Sequence, residues 1–534
     1  MILWPAAQLT ASLLVAVACT LASTPALSAQ KNERAAVQTR LPSPETIVNA
    51  YLKAVGGKKR VATIRDATYE WTAFRKNQTE PQVSVRIRTK APASTRIDRT
   101  TKDGETSVGA NPRTAWERSS QNILRTLTDA EAKATKLEAT LTASRLANLK
   151  KQNILARTVA LEEKRGEASG ETTSEPAYVV EFTTREGARL RYWFGASSKL
   201  LLKTTDDTRR ITVRFGEYKT VNGLLEPHRI EVGEPEALTL QLQNVRYNTN
   251  ISDAVFNPPS AESLDITALL HELRGNQKTL DERARQYTCI QKQTEREIND
   301  RGEIKKEKVK ISEVYPLPGR RPVFKLISED GVPLSSERAE REAKRAGEEL
   351  AEAERDIEKK QKREREQGAK ENGGSIFEED EDARSIVEAL LRASDFVAPR
   401  RERFRDRDAV VFDFLPRADF RPRNRLDSVV AKLNGIAWID VADKQLMRFE
   451  ARLTKGYKIG GGLLVSVRPG ATLVIDQTRL PDGLWMPHRA QFNASVKFLL
   501  VAGVTANVAL EWSDYRRFNT ETGDVKLEQP KAQP

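Results

Sequence analysis

Apolar and polar residues alternate in short runs over most of the chain. In "VSVRIRT", from residue 83, Val83, Val85 and Ile87 fall on one side and Arg86 and Arg88 on the other. "ITVRFGEY" and "LTLQLQNV" repeat the pattern with Ile211, Val213 and Phe215, and with Leu238, Leu240 and Leu242. A period of two with one apolar face predicts antiparallel strands covered from one side. Helical periodicity is rarer. "SPETIVNAYLKAVGG" sets Ile47, Val48, Tyr51, Leu52 and Val55 along one helix face, with Ser43 as N-cap, Pro44 in the first turn and Gly56 as the stop. "LDITALLHELRG" does the same with Ile266, Leu269, Leu270 and Leu273, and Gly275 stands behind them as the expected end. A strand follows each helix: "ATYEWTAF" in one half, "QYTCIQKQ" in the other.

The two halves share more than this order. "GLLEPHRIEV" (223–232) matches "GLWMPHRAQF" (483–492), and the correspondence extends upstream. Trp193 pairs with Trp438, Lys199 with Lys444 and Leu201 with Leu446; further back, "AYVVEFTTR" pairs with "AVVFDFLPR", Phe182 with Phe414 and Arg185 with Arg417. A structural unit used twice explains such collinear matches. Asn222-Gly223 and Asp482-Gly483 then mark hairpin turns, and proline is confined to the start or edge of a strand. His228 and His488 thereby open equivalent strands, a structural duty.

The fold class expected is α+β: two tandem curved antiparallel β-sheets, or half-barrels, each covered by helices, over residues 42–259 and 264–528. One long charged helix is inserted in the second. Its segment, 335–372, is rich in Ala, Glu, Lys and Arg, with Ala339, Ala343, Ala346, Leu350, Ala353 and Ile357 forming a thin seam. "KIGGGLLVSVRPG" is expected as a further hairpin in the second half.

Residues 1–29 read as a cleaved export signal, an apolar run followed by small residues, which places the protein in the periplasm. Cys19 offers the alternative of a lipid anchor. With the signal removed, Cys289 is the one cysteine left, and a buried inert thiol is expected there. The chain carries 88 Lys and Arg against 75 Asp and Glu, a net charge of +13. Bases and acids are interspersed and aromatics do not accompany the charge runs, so nucleic acid is not expected as a partner. Three scattered histidines, no His-Glu-x-x-His, no Cys-x-x-Cys, no phosphate loop and no Gly-x-Ser-x-Gly argue for neither metal, cofactor nor catalytic residues. Asp98 with Asp103, and "EEDED" at 378–382, are acid groupings too generic to define a site.

"ETIVNAYLKAVGG", "LRYWFGASSKLLLKT", "VNGLLEPHRIEV" and the closing "NVRYNTNISDAVFNPP" resemble the LolA/LolB-like lipoprotein-carrier superfamily of the bacterial envelope, most clearly over residues 42–259. The second half resembles a related group of uncharacterised exported proteins. The resemblance implies an incomplete antiparallel barrel closed by helices, with an apolar cavity for the acyl chains of lipids or lipoproteins. A non-enzymatic carrier in peripheral contact with the membrane is then the leading expectation. An envelope scaffold or sensor that binds a protein partner is the alternative. Candidate cavity residues are Val85, Phe182, Phe194, Phe215 and Leu240 in the first half, and Phe412, Phe414 and Phe449 in the second.

Overall fold

The structure is a computed structural model describing residues 41–75, 80–81, 83–163, 175–233, 237–261, 264–299, 304–317, 320–366, 389–459, 465–498 and 504–517. The expected export signal and Cys19, the acidic run at 378–382 and the final residues of both the charged insertion and the second expected domain lie outside this set.

The first half opens with helices α1 (Pro44–Ala54) and α2 (Lys58–Ala62). Its strands are β1 (Asp66–Arg75), β2 (Val83–Lys90), β3 (Ser94–Thr101), β4 (Gly104–Ala110), β5 (Ala115–Arg118) and β6 (Leu124–Thr126). After α3 (Asp129–Ala143) come β7 (Leu155–Glu162), β8 (Ala177–Thr183), β9 (Arg189–Gly195), β10 (Leu201–Asp206), β11 (Ile211–Val221), β12 (Leu224–Val232) and β13 (Leu238–Tyr247). The second half begins with α4 (Ile266–Ala284), β14 (Tyr287–Ile298), β15 (Ile304–Leu317), β16 (Arg320–Glu329) and β17 (Val332–Pro333). The charged helix α5 (Ser336–Glu366), then β18 (Ser394–Phe404), β19 (Arg407–Pro416), α6 (Arg425–Val430), β20 (Leu433–Asp440) and β21 (Leu446–Leu453) follow. A short hairpin, β22 (Tyr457–Ile459) and β23 (Val465–Val467), precedes β24 (Thr472–Arg479), β25 (Trp485–Phe498) and β26 (Val504–Arg517).

Two large antiparallel sheets result. The first runs β6-β5-β4-β3-β2-β1-β13-β12-β11-β10-β9-β8-β7, and the second β17-β16-β15-β14-β26-β25-β24-β21-β20-β19-β18, with β23 attached to β25. In each, the strand after the opening helix pairs with the last strand of the half, β1 with β13 and β14 with β26. The neighbours on both sides then follow in the same sequence. β5 and β6 have no counterpart in the second sheet, and β22 and β23 none in the first.

Local chemistry accounts for several of these elements. Ser43 Oγ accepts the Thr46 N–H at 3.2 Å and caps α1. Asn222 and Gly223 both take positive φ, 51° and 77°, which gives the primed turn that closes β11 onto β12. Proline enters both repeated phrases where it removes no ladder bond on its second side. β12 pairs with β13 only from Arg229 onward, past Pro227, and β25 pairs with β26 only from Arg489 onward, past Pro487.

Three observations depart from the sequence reading. α4 does not stop at Gly275 but runs on to Ala284. A glycine inside a helix costs only about 1 kcal/mol relative to alanine, and tertiary packing of Leu280 and Ala284 on Leu484 and Met486 outweighs that. α3 was not expected at all. Its buried side is mostly small, Ala132, Ala134, Thr135, Ala139 and Ala143 around Leu137 and Leu141, so it lacks a bulky apolar stripe. Finally, β8, β9, β19 and β20 are buried on both faces rather than one. Their second faces carry Trp193 and Trp438, covered by Lys203 at 4.0 Å from the first ring and by Arg448 at 5.8 Å from the second.

Candidate binding sites

The candidate cavity residues fall into three groups. Phe182 and Phe194 pack with Ile47, Val48 and Leu52 of α1 and Leu137 and Leu141 of α3. Val85 and Leu240 belong to a separate cluster with Trp71 and Ile230, and the half-buried Phe215 touches both groups. Phe412, Phe414 and Phe449 lie together under α4.

The aromatic side chains of the first half pack closely on one another. Tyr51 and Phe194 meet at 5.4 Å between ring centroids, and Phe182 and Tyr192 at 5.1 Å. Beside them is a buried polar knot. Arg145 donates to the Tyr69 hydroxyl at 2.6 Å and to Glu226, which also accepts from the Tyr247 hydroxyl at 2.6 Å. Burial pushes the Tyr51 hydroxyl up to about 12 and raises those of Tyr69 and Tyr247 as well. Burial also works against the Arg145 charge, and the neighbouring Tyr69 and Glu226 keep it protonated.

The second half differs. Phe414 and Phe449 stack at 5.3 Å and Phe396 meets Phe412 edge-on at 5.5 Å, yet a void of about 40 Å³ remains between them and α4. Leu270, Leu273, Leu390, Ala437, Ile439 and Leu446 complete a lining without a single polar side chain. That volume is little more than one water molecule's share of the liquid.

Between the halves is a different kind of site. The edge strands β6 and β18 meet across a buried ionic network. Arg400 contacts Glu402 Oε1 at 2.8 Å and Asp413 Oδ1 at 3.0 Å, and it donates to Thr126 Oγ1 of β6 at 2.8 Å. Glu402 accepts the Thr126 N–H at 2.7 Å, and Asp413 also accepts from the Thr114 hydroxyl. A second clamp joins Arg448 of β21 to Asp129 at the start of α3, 3.0 Å apart, while Asp476 and Glu450 hold the rest of its guanidinium. Burial pushes the Asp129 carboxyl up, but Arg448 outweighs this and holds it below the usual carboxylate range. Next to these clamps opens a cleft of about 340 Å³, whose lining includes Lys133 and Lys136 from α3, Arg185 and Glu186 from the β8–β9 turn, and Arg452 and Asn434 from the second half.

Sequence reasoning missed this interface. One signal was available: the acid shared by the two matching segments, Glu181 in "VVEFT" and Asp413 in "VVFDF", stands inside an apolar run. Both are buried, and each takes an arginine from the preceding edge strand, Arg157 and Arg400. The other acid grouping is structural in part: Asp98 is held by Arg96, Ser107 and Arg88, which overcome its burial and lower its pKa. His228 rests its Nδ1 3.1 Å from the Glu226 carbonyl and His488 is exposed, each in its own sheet. Among the described residues no group of three His, Cys, Asp or Glu could hold a metal, and no helix is long and apolar enough to cross a membrane.

No protein-family model and no curated protein matches the chain. Among solved structures its neighbours are LolA-superfamily and lipoprotein-sorting domains. A LolA superfamily protein from Nitrosomonas europaea is 12% identical with a TM-score of 0.28, and covers 40% of this chain and 98% of its own. An outer-membrane lipoprotein-sorting protein domain from Vibrio parahaemolyticus is 12% identical with a TM-score of 0.27, at 40% and 97% coverage. A DUF1329 family protein from Desulfovibrio piger is 15% identical, again with a TM-score of 0.27, at 40% and 96% coverage. Scores of this size decide nothing about activity.

Proposed function

We propose that the protein is a non-enzymatic binding protein of the bacterial periplasm, built from two copies of one half-barrel unit, and that the second copy accommodates an acyl chain of a lipid or lipoprotein beneath α4. The observation that carries this reading is the wholly apolar void under that helix, in contrast to the polar knot of Arg145, Glu226, Tyr69 and Tyr247 in the first half.

The void at rest is far smaller than the roughly 300–1,000 Å³ of ligand pockets, so uptake requires the covering end of α4 to lift. The cost can be weighed. Ile266, Leu269, Leu270 and Leu273 hold that end, and at about 1.5–3 kcal/mol per buried side chain their exposure costs roughly 6–12 kcal/mol. An acyl chain of about fourteen carbons returns roughly 11 kcal/mol at about 0.8 kcal/mol per buried CH₂. The exchange is near balance, as loading and release both require. Gly275 lies between this end and the segment that Leu280 and Ala284 anchor on Leu484 and Met486, and so supplies a bending point.

The test is uptake of a fluorescent fatty acid, with native mass spectrometry of protein recovered from membranes. Leu273→Ala enlarges the void and should tighten probe binding; Ala437→Phe fills it and should abolish uptake. Equal probe binding by both variants, or none by the parent protein together with no co-purifying lipid, sinks the reading.

A further inference from the structure

We propose that the cleft between the halves binds a phosphate ester that carries a free hydroxyl. This goes beyond the acyl reading and does not depend on it, because no residue of the void under α4 lines the cleft.

The cleft has the volume of a small-ligand pocket, about 340 Å³. Four cationic side chains line it, Lys133, Lys136, Arg185 and Arg452, against one carboxylate, Glu186. Arg452 is paired with that carboxylate at 3.2 Å, which leaves three positive charges without an acid in the lining. Arg185 donates to the Ser495 hydroxyl and Lys136 to the Arg113 carbonyl at 3.1 Å, so both are positioned by neutral partners that do not cancel their charge. Lys133 is half-buried one turn before Lys136 on α3; its nearest acid influence is Asp129, whose carboxylate Arg448 already clamps at 3.0 Å. Three converging cations suit a dianionic phosphate better than a single carboxylate, since like charges held together in a partly dry cleft repel one another until a counter-charge arrives.

An independent observation points to the hydroxyl. The side-chain oxygen of Asn434 is buried in the wall of this cleft with no hydrogen-bond partner. An orphaned buried acceptor costs about 1–3 kcal/mol, and a ligand O–H restores the missing bond. Because the walls come from both halves, and Arg448–Asp129 and Arg400–Thr126 fix those halves to each other, the site is preorganised and exists only in the tandem chain.

The shared chemistry occurs in a free polyol phosphate and in the headgroup of a phosphatidylglycerol, and the experiment separates them. The full-length protein is titrated calorimetrically with inorganic phosphate and with glycerol 3-phosphate at low salt, and sedimented with phosphatidylglycerol vesicles, phosphatidylcholine vesicles serving as control. Binding of glycerol 3-phosphate more tightly than inorganic phosphate, weakened about tenfold in Lys133→Ala and lost in Lys133→Glu, supports the site with a soluble ligand. Vesicle binding that Lys133→Glu removes supports it with a lipid headgroup. Lys133 also faces Asp129 of the junction clamp, so thermal unfolding of both variants is measured alongside, and Lys133→Ala, which adds no like charge there, is the variant whose unfolding should stay close to that of the parent protein. No binding of either soluble probe at millimolar concentration together with no vesicle binding overturns the proposal, as does any binding that survives Lys133→Glu undiminished.

Discussion

Replacing Arg400 with methionine tests the contact between the halves most directly. The Arg400 side chain is 1% exposed, and the carboxylates of Glu402 and Asp413 beside it are 2% and 0% exposed. Arg400→Met keeps the length and apolar stem but removes the charge that both acids face. Among the described residues Arg113, with its Nε 3.5 Å from Asp413 Oδ2, remains as counter-charge. The bonds to the two carboxylates, at 2.8 Å and 3.0 Å, are lost along with those to Thr126 Oγ1 and the Ala398 carbonyl; the two carboxylate bonds alone, at roughly 1.5–3 kcal/mol each, amount to roughly 3–6 kcal/mol. Breaking a buried ion pair from one side independently gives about 3–5 kcal/mol. Because Thr126 belongs to the first sheet, Thr114 to the turn that leads into its strand β5, and Arg400, Glu402 and Asp413 to the second sheet, the loss falls on the junction. Urea unfolding followed by tryptophan fluorescence, with calorimetry alongside, should show one cooperative transition for the parent protein and two separated ones for the variant. Neutralising the acids as well, with Glu402→Gln and Asp413→Asn, should recover a large part of the loss. A variant within about 1 kcal/mol of the parent, unfolding in a single transition, would refute the view that this network couples the halves.

Two glycines should respond with opposite signs. At Gly435 a Cβ would lie 1.8 Å from the Glu450 carbonyl oxygen and 2.6 Å from Phe414 Cζ, so Gly435→Ala must push β20 off β21 and cost roughly 3 kcal/mol in urea unfolding. At Gly275 nothing lies within 4 Å; Gly275→Ala should stabilise by about 1 kcal/mol while slowing acyl-probe uptake. Burial pushes the Cys289 thiol up to about 12, so a water-soluble thiol reagent at pH 8 should label it only after unfolding. The same raised pKa makes its contribution to stability complete below the ordinary thiol value of about 9, and lost as pH rises from there toward 12. On the acid side, the Asp129 and Asp98 carboxyls, held low by their arginines against the pull of burial, contribute stability above their ordinary value of 3.8, and it is lost as pH falls below that. His228→Gln and His488→Gln should each shift stability by no more than about 0.5 kcal/mol and leave ligand binding intact.

The sequence by itself determined what depends on near neighbours along the chain. The Ser43 cap, the Asn222-Gly223 turn, the place of Pro227 and Pro487, and the alternation in β2 and β13 are all written in windows of a few residues, because capping, turn geometry and strand period are local requirements. Local pattern failed where packing overrode it. α3 hides its buried side among alanines and threonines, and α4 passes through Gly275 because the contacts of Ala284 lie beyond. Apolar alternation also cannot distinguish a lined cavity from a packed core: Phe182 and Phe414 occupy matching positions, yet Phe182 is packed against residues of α1 and α3 while Phe414 borders a void, a difference that distant strands and helices decide. The junction was least legible of all. Thr114, in a turn, and Thr126, in a strand, look like ordinary polar residues, and what makes them partners of Asp413 and Glu402 is that two edge strands far apart in sequence meet, leaving buried charges that must find counter-charges and hydrogen bonds wherever the tertiary fold supplies them.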